Sequence, residues 1–336
     1  MIKALVTAEI CREELQGYTD RIEFVYKGYT LNHEVLPHKE LIKEISDYEI
    51  LICEYDTIDK AVIDAAKKLK LIICCRGGVS SVIDVSYAAE KGICVCNNLG
   101  RNAWAVSELV MGFIICLSRN VVNSHMEIKD GSIHDKSGYK PEEYQDTVWG
   151  LDNSSPFIRF RGRSLNHLKL GIIGYGSVGK LVAEKALAFG MEIVTYDPWV
   201  NLVPSNVKKV SLNELLEISD VISLHCGVSA ETKQMIKKET IDKMKPDAIL
   251  INTARGELID EEALVDALKA KRLAGAALDV TVKEPIPADS MLLEAPNLIL
   301  TPHIAGSSDD VQIVGTSMVK DSLDDFLAGR KMRHAV

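Results

Sequence analysis

Three stretches of the chain end in side chains that can handle an anion or a proton. They are Asn252-Thr253-Ala254-Arg255-Gly256, Asp279-Val280 running on to Lys283-Glu284-Pro285, and Thr301-Pro302-His303-Ile304-Ala305-Gly306. Each follows a short apolar run, Ala248–Ile251, Ala276–Leu278 and Leu298–Leu300. A guanidinium offers a planar fork that matches a carboxylate and can polarise a neighbouring carbonyl, which suits Arg255. An imidazole titrates near neutral pH and can give or take a proton, which suits His303. A carboxylate touching that imidazole would orient it and favour its protonated form, which suits Glu284. Together they are what hydride transfer to a carbonyl beside a carboxylate requires. Singly, each has a plainer reading: a surface cation, a structural Pro-His turn, the start of a loop.

The element that gives the set its meaning lies upstream. The apolar run Leu170, Ile172, Ile173 leads into Gly174-x-Gly176-x-x-Gly179 and then into a helical pattern from Lys180. In a dinucleotide site the first glycine permits the tight turn, the second lets backbone approach a pyrophosphate, and the third lets helix and strand pack closely. The helix that follows points free N–H groups at the phosphates. The next strand, Met191–Tyr196, ends in Asp197, about 20 residues on, where a ribose-binding acid belongs. In an open parallel sheet the ends carrying Arg255, Glu284 and His303 share the rim of that loop.

The rest of the chain alternates strand and helix. Strands are expected at Ile2–Ala8, Glu49–Cys53, Leu71–Cys75 and Ile93–Cys96, with helices at Glu40–Asp47, Asp59–Lys68 and through Ala88-Ala89. The Arg76-Gly77-Gly78 turn after the third strand makes a natural anion nest, although Arg76 could equally be a solvent-facing cation. One long helix is expected from Asn102 to about His125, then an excursion of mixed polarity over 126–164 whose Tyr139, Tyr144, Trp149 and Phe157 could anchor a partner or cover the core. Strands follow at Val221–His225, Ala248–Asn252, Ala276–Val280 and Leu298–Thr301, with helices at Asn213–Leu216, Thr232–Lys243, Glu261–Lys271 and Asp309–Leu327. This predicts an α/β protein of two doubly wound parallel-sheet domains. One is a Rossmann domain over 102–306; the other, flavodoxin-like and discontinuous, is a substrate domain over 1–101 and 307–336.

Composition sets outer bounds. Apolar content of 47% with 26% charged residues is that of a soluble globular protein, and a formal charge of −9 argues against nucleic acid or an anionic membrane as partner. The N-terminal apolar run breaks at Glu9, so it reads as a strand, and Leu109–Leu117 is too short to span a bilayer. The cysteines form no CxxC pair and the His and Cys residues show no metal-ligand spacing; a reducing cytoplasm is expected.

The ordered set GYGSVG, Asp197, NTARGELID, LDVTVKEP and TPHIAG resembles the D-isomer-specific 2-hydroxyacid dehydrogenases, the group that includes D-3-phosphoglycerate dehydrogenases and hydroxypyruvate reductases. LKLIICCRGG, AAEKGICVCNNLGRNAWAVSELVMG and SLHCGVSAETKQMI extend the similarity over roughly residues 65 to 310. The resemblance implies a two-domain enzyme, usually dimeric, that reduces a 2-keto acid or oxidises a D-2-hydroxy acid with NAD. It makes Arg255, Glu284 and His303 the catalytic set. Besides the loop glycines, it implies cofactor contacts at Ser177, Val178, Asp197, His225, Thr253, Ala254, Arg255, Asp279, His303 and Gly306, with Asp279 meeting the nicotinamide amide. Substrate contacts are expected at Arg76, Gly77, Gly78 and Arg255.

Several positions depart from the family pattern. The Arg76–Asp84 turn is one residue shorter than the phosphoglycerate dehydrogenase form, Ser80 stands where Gly is common, and Asn98-Leu99 replaces a frequent Thr-Pro. These bear on substrate choice; Gly227, in place of a Pro after His225, bears on the cofactor side. No further regulatory domain is expected after the last helix. Asp197 would accept from both ribose hydroxyls and repel a 2′-phosphate, and the following Pro198-Trp199-Val200 supplies no arginine to hold one, so NAD is expected over NADP. The competing reading is an NAD-sensing scaffold, since transcriptional corepressors use this fold. Turnover of any 2-keto acid separates the two.

Overall fold

Short runs of β-branched and apolar residues form central strands buried on both faces, as parallel strands covered by helices on both sides must be. In the computed structural model, which describes residues 1–134 and 153–336, the chain divides into two units. One comprises Met1–Asn102 with Ser307–Val336 and the other Ala103–Gly306.

The first unit is a five-stranded parallel sheet of β1 (Ile2–Val6), β2 (Ile22–Tyr26), β3 (Ile50–Cys53), β4 (Leu71–Cys74) and β5 (Cys94–Asn97), in the order β2-β1-β3-β4-β5. That is the flavodoxin-like order. Every residue of β3 and β4 is buried. Asp59 and Asp84 cap the helices Lys60–Ala65 and Val85–Glu90 by accepting from first-turn amides, each cap contributing about 1 kcal/mol. The C-terminal helix Asp309–Leu327 closes the other face, packing Val319 and Leu323 with Ala4, Val6 and Ile52.

The second unit is a seven-stranded parallel sheet in the order β12-β11-β10-β9-β6-β7-β8. Its strands are β6 (Lys169–Ile173), β7 (Glu192–Tyr196), β8 (Val207–Lys209), β9 (Val221–Leu224), β10 (Ile249–Asn252), β11 (Gly275–Leu278) and β12 (Leu298–Leu300). The chain runs outward from β6 to β8, then returns to β9 and runs the other way. The β6/β9 junction is therefore the topological switch point, where such sheets bind ligands.

Some expectations need correction. β2 and β8 were not anticipated from the sequence; both are edge strands with mostly solvent-accessible residues. The single helix expected from Asn102 to His125 is two, Ala103–Ser118 and Val121–Lys129, bent by 67°. The break falls at Asn120, whose φ of 51° is left-handed, a conformation asparagine tolerates better than most residues. The helix expected over Thr232–Lys243 is confined to Lys238–Ile241; Gln234 takes a φ of 49°, and Thr240 closes a capping box on Lys237 that starts the helix late. Among the described residues no single helix is long and apolar enough to cross a membrane. Tyr139, Tyr144 and Trp149 lie outside the described residues, while Phe157 sits in the short helix Pro156–Arg159.

Candidate active site

The three side chains singled out for chemistry all belong to the second unit, at the C-terminal ends of β10, β11 and β12. His303 Nδ1 lies 2.7 Å from Glu284 Oε2. The other Glu284 oxygen accepts from the Thr281 amide at 3.1 Å, so the carboxylate is held from both sides. Burial alone would raise the Glu284 carboxyl, but the His303 bond, the Thr281 amide and the Arg255 charge outweigh it and hold the group below its usual range. Half of the His303 side chain is exposed, and its Nε2 has no hydrogen-bond partner among the described residues. Arg255 is exposed as well; one Nη donates to the Ala254 carbonyl at 2.6 Å, leaving most of the fork free.

Arg255 and His303 each stand on a buried polar support that was not expected from the sequence. Asn252, fully buried at the end of β10, donates to the Arg255 carbonyl at 2.8 Å and accepts from the Ala254 amide at 3.0 Å. It thereby fixes the turn that presents Arg255. Gly256 lies flat against the Glu284 loop: a Cβ there would stand 2.1 Å from the Thr281 carbonyl carbon, so no other residue fits without moving that loop. On β12's side, His303 itself has a left-handed φ of 57°, a strain of about 1–3 kcal/mol for a non-glycine residue.

Asp279 supplies the restraint that holds it there. This carboxylate is 1% exposed and accepts from the Thr301 hydroxyl at 2.6 Å and from the Ile304 and Ala305 amides at 2.8 Å each. The Asp279 carbonyl accepts from the His303 amide, also at 2.8 Å. The loop is thus gripped on both sides of the imidazole. One acceptor position on Oδ2 remains for any other partner.

The glycine loop fits a dinucleotide. Gly174 has φ 94°, and a Cβ there would stand 2.5 Å from the His225 carbonyl oxygen; a Cβ on Gly179 would stand 2.2 Å from the Gly174 carbonyl oxygen. No side chain caps the helix Ser177–Ala188, so the first-turn amides of Ser177, Val178 and Gly179 are open to an anion. Asp197 Oδ2 accepts from the Tyr175 amide at 2.8 Å, tying the β7 end to that loop. The Thr253 hydroxyl is screened from solvent yet has no hydrogen-bond partner among the described residues, as expected of a group that meets a ligand. His225 differs from its neighbours on the rim. Its Nε2 is 2.8 Å from Ser223 Oγ, and burial pushes it down to about 3, so the ring is neutral and its backbone carbonyl is what faces the glycine loop. Gly306 closes the unit just beyond Ala305.

Arg76, Gly77 and Gly78 belong to the first unit, directly after β4 and Cys75. The Arg76 guanidinium lies 5.3 Å from the Tyr55 ring centroid. Among the described residues the Gly77 and Gly78 amides donate to no protein acceptor, and the Asn97 side chain steadies the turn by donating to the Gly77 carbonyl at 2.8 Å.

Residues 111–305 match the model of the D-isomer specific 2-hydroxyacid dehydrogenase, NAD binding domain. A hydroxypyruvate reductase of Thermotoga maritima is 36% identical over 292 residues, covering 85% of this chain and 88% of the relative. A D-3-phosphoglycerate dehydrogenase of Methanocaldococcus jannaschii is 35% identical over 306 residues, covering 90% of this chain; this chain spans about half, 54%, of that relative's length. Among solved structures, the TT0316 protein of Thermus thermophilus superposes with a TM-score of 0.78 at 33% identity, covering both chains fully. Similarity of this extent, over both units and the rim that carries the site, places the chain in the D-isomer specific 2-hydroxyacid dehydrogenase family.

Proposed function

We propose that the protein transfers a hydride between NAD(H) and a D-2-hydroxy acid or 2-keto acid, with Arg255, Glu284 and His303 as its catalytic residues. The observation that carries this reading is the 2.7 Å contact between His303 Nδ1 and Glu284 Oε2 on the rim of an uncapped glycine loop. Gly174, Gly176, Ser177, Val178 and Gly179 would hold the phosphates of NADH and Asp197 its ribose, and the cofactor would supply the hydride. Thr253, Ala254, His225, Asp279 and Gly306 would serve the nicotinamide end, where the free Oδ2 position of Asp279 could accept from the amide. Asp197 favours NAD over NADP, since its carboxylate would repel a 2′-phosphate.

The chain's own groups do the rest. Arg255 binds the substrate carboxylate with its free fork and draws charge toward the carbonyl oxygen. With Nδ1 engaged by Glu284, His303 donates from Nε2 to that oxygen during reduction and takes the proton back during oxidation. The Glu284 carboxylate orients the ring through Nδ1, as a carboxylate beside a catalytic histidine does. The Arg76 guanidinium and the open amides of Gly77 and Gly78 would suit a further anionic group of a substrate.

Two further readings belong here. The second copy of a homodimer would cover the helix Val121–Lys129, where Val121, Val122, Met126 and Ile128 are all exposed, together with Phe157, which is 80% exposed. Light scattering should then report twice the chain mass. Eight free thiols fit a reducing cytoplasm, which fractionation would check.

The catalytic assignment is tested by His303→Ala. A fall in kcat of about 10²-fold or more is expected for loss of a general acid, with NADH affinity retained. Unchanged turnover would refute the role. An NAD-sensing scaffold would show no turnover to lose.

A further inference from the structure

We infer that Asp325 and Arg333 are positioning residues for the Arg76-Gly77-Gly78 turn, acting through the segment 330–336 that they strap onto the edge of the five-stranded sheet. The inference rests on the anion reading of that turn given above. Two successive glycines lose more backbone freedom on ordering than any other pair, so their amides keep one direction only where the surroundings fix them. Here the surroundings are the asparagines at the end of β5. The Asn97 side chain donates to the Gly77 carbonyl at 2.8 Å, and the Asn98 amide donates to the Arg76 carbonyl at 3.1 Å.

β5 is an edge strand, paired on one side with β4. Segment 330–336 covers its other side. The Asn97 amide donates to the His334 carbonyl and the Val336 amide to the Val95 carbonyl, each at 3.0 Å, with Cys96 and Ala335 forming an antiparallel bridge. The residue that holds Gly77 through its side chain is therefore held through its own backbone by the strap. A pair of backbone bonds returns less than the entropy of ordering such a segment, so the strap needs an anchor.

Asp325, on the helix Asp309–Leu327, is that anchor. Its carboxylate is 3% exposed and receives both arms of the Arg333 guanidinium, Nε at 2.8 Å on Oδ2 and Nη2 at 2.9 Å on Oδ1. The Arg333 amide donates to Oδ2 at 3.2 Å, and Arg330 Nε donates to Oδ1 at 3.0 Å. The remaining Arg333 nitrogen, Nη1, reaches Asp321 Oδ1 at 2.8 Å. These bonds, those of Arg333 foremost, hold the Asp325 carboxyl well below its usual range, so the anchor stays ionised. A planar fork on a carboxylate fixes direction as well as distance, and His334, the next residue, is thereby set opposite Asn97. Affinity for an anionic group, not the hydride step, is what such a strap governs.

The test is titration of inorganic phosphate into the full chain, isotope-labelled at glycine and followed by NMR at the amides of Gly77 and Gly78. The amides of Gly176 and Gly179, on the dinucleotide loop, give a control in the same sample. Arg333→Gln should raise the phosphate Kd at Gly77 and Gly78 about 10-fold, the scale of one charge-assisted hydrogen bond, and leave Gly176 and Gly179 unchanged. Arg333→Lys should recover little, because an ammonium cannot grip both oxygens in a plane. Val336→Pro removes the strap's donor to Val95 without touching Asp325, and it serves where Arg333→Gln does not fold. It should weaken phosphate at the same glycines by a smaller factor. Wild-type affinity at Gly77 and Gly78 in either Arg333→Gln or Val336→Pro would overturn the inference while leaving the anion turn intact, as would an equal loss at Gly176 and Gly179. Gly77 and Gly78 amides that ignore phosphate in the wild type would overturn the anion reading and the inference with it.

Discussion

Replacing Asp279 by Asn tests whether the His303 imidazole is placed by the buried carboxylate beneath it. The exchange keeps size and shape but turns one acceptor into a donor. If the new NH₂ sits at the Oδ2 position it faces the Ala305 amide; at the Oδ1 position it faces the Ile304 amide, while the Thr301 hydroxyl can rotate to accept. Either way one buried backbone N–H loses its acceptor, which costs about 1–3 kcal/mol, and the remaining bonds lose their charge assistance. A total near 3 kcal/mol should lower Tm by roughly 6–12 °C for a unit of this size. The loop would relax this penalty by moving, and His303, already strained at φ 57°, moves with it. A displacement approaching 1 Å at a reacting group costs on the order of 10²-fold in rate. Scanning calorimetry and steady-state kcat on the same preparation, with NADH Kd measured alongside, separate the two effects. A variant with wild-type Tm and wild-type kcat would refute the idea that Asp279 holds the loop. A lost NADH affinity with unchanged kcat would leave it only a cofactor contact.

Arg255→Lys should recover little of the kcat/KM lost in Arg255→Ala, because an ammonium cannot reproduce the planar fork; full recovery measured on a keto acid would show that charge alone suffices. His225 should make the protein acid-sensitive. Its folded value near 3 lies below its ordinary value near 6.5, so the unfolded chain binds a proton in that window that the folded chain refuses. The stability it contributes is complete above pH 6.5 and is lost progressively down to about pH 3, at most about 1.4 kcal/mol per pH unit. Denaturant titrations of His225→Gln over that range should show a flatter pH dependence, and an identical slope would count against a buried neutral ring.

Much of the candidate site was legible in the sequence, because its residues sit at strand ends. Arg255, Glu284 and His303 each follow an apolar run, and a parallel sheet sends all such ends to one rim. The glycine spacing and Asp197 were legible for the same reason. The supports were not. Asn252 reads as one more polar residue closing a strand, and nothing in its neighbours signals that its amide would grip the Arg255 turn. Asp279 suggested a ligand contact, whereas its oxygens reach across to residues 22 to 26 positions away, a pairing only the β11–β12 register creates. The long helix was misjudged because apolar periodicity runs through Asn120 without a proline or glycine to mark the bend. Edge strand β8 escaped notice because only Val207 of its three residues is apolar, whereas the Ile22–Tyr26 run of β2 carries an apolar signal of its own.

NADH oxidation against a panel of 2-keto acids, from glyoxylate, pyruvate and hydroxypyruvate to phosphohydroxypyruvate and longer sugar-acids, tests the central claim most directly. Chiral analysis of the product belongs to the same experiment. Turnover of at least one member to the D-2-hydroxy acid, abolished in His303→Ala, is the expected result. NADH that binds but is never consumed across the panel, or a product of the L configuration, would contradict it.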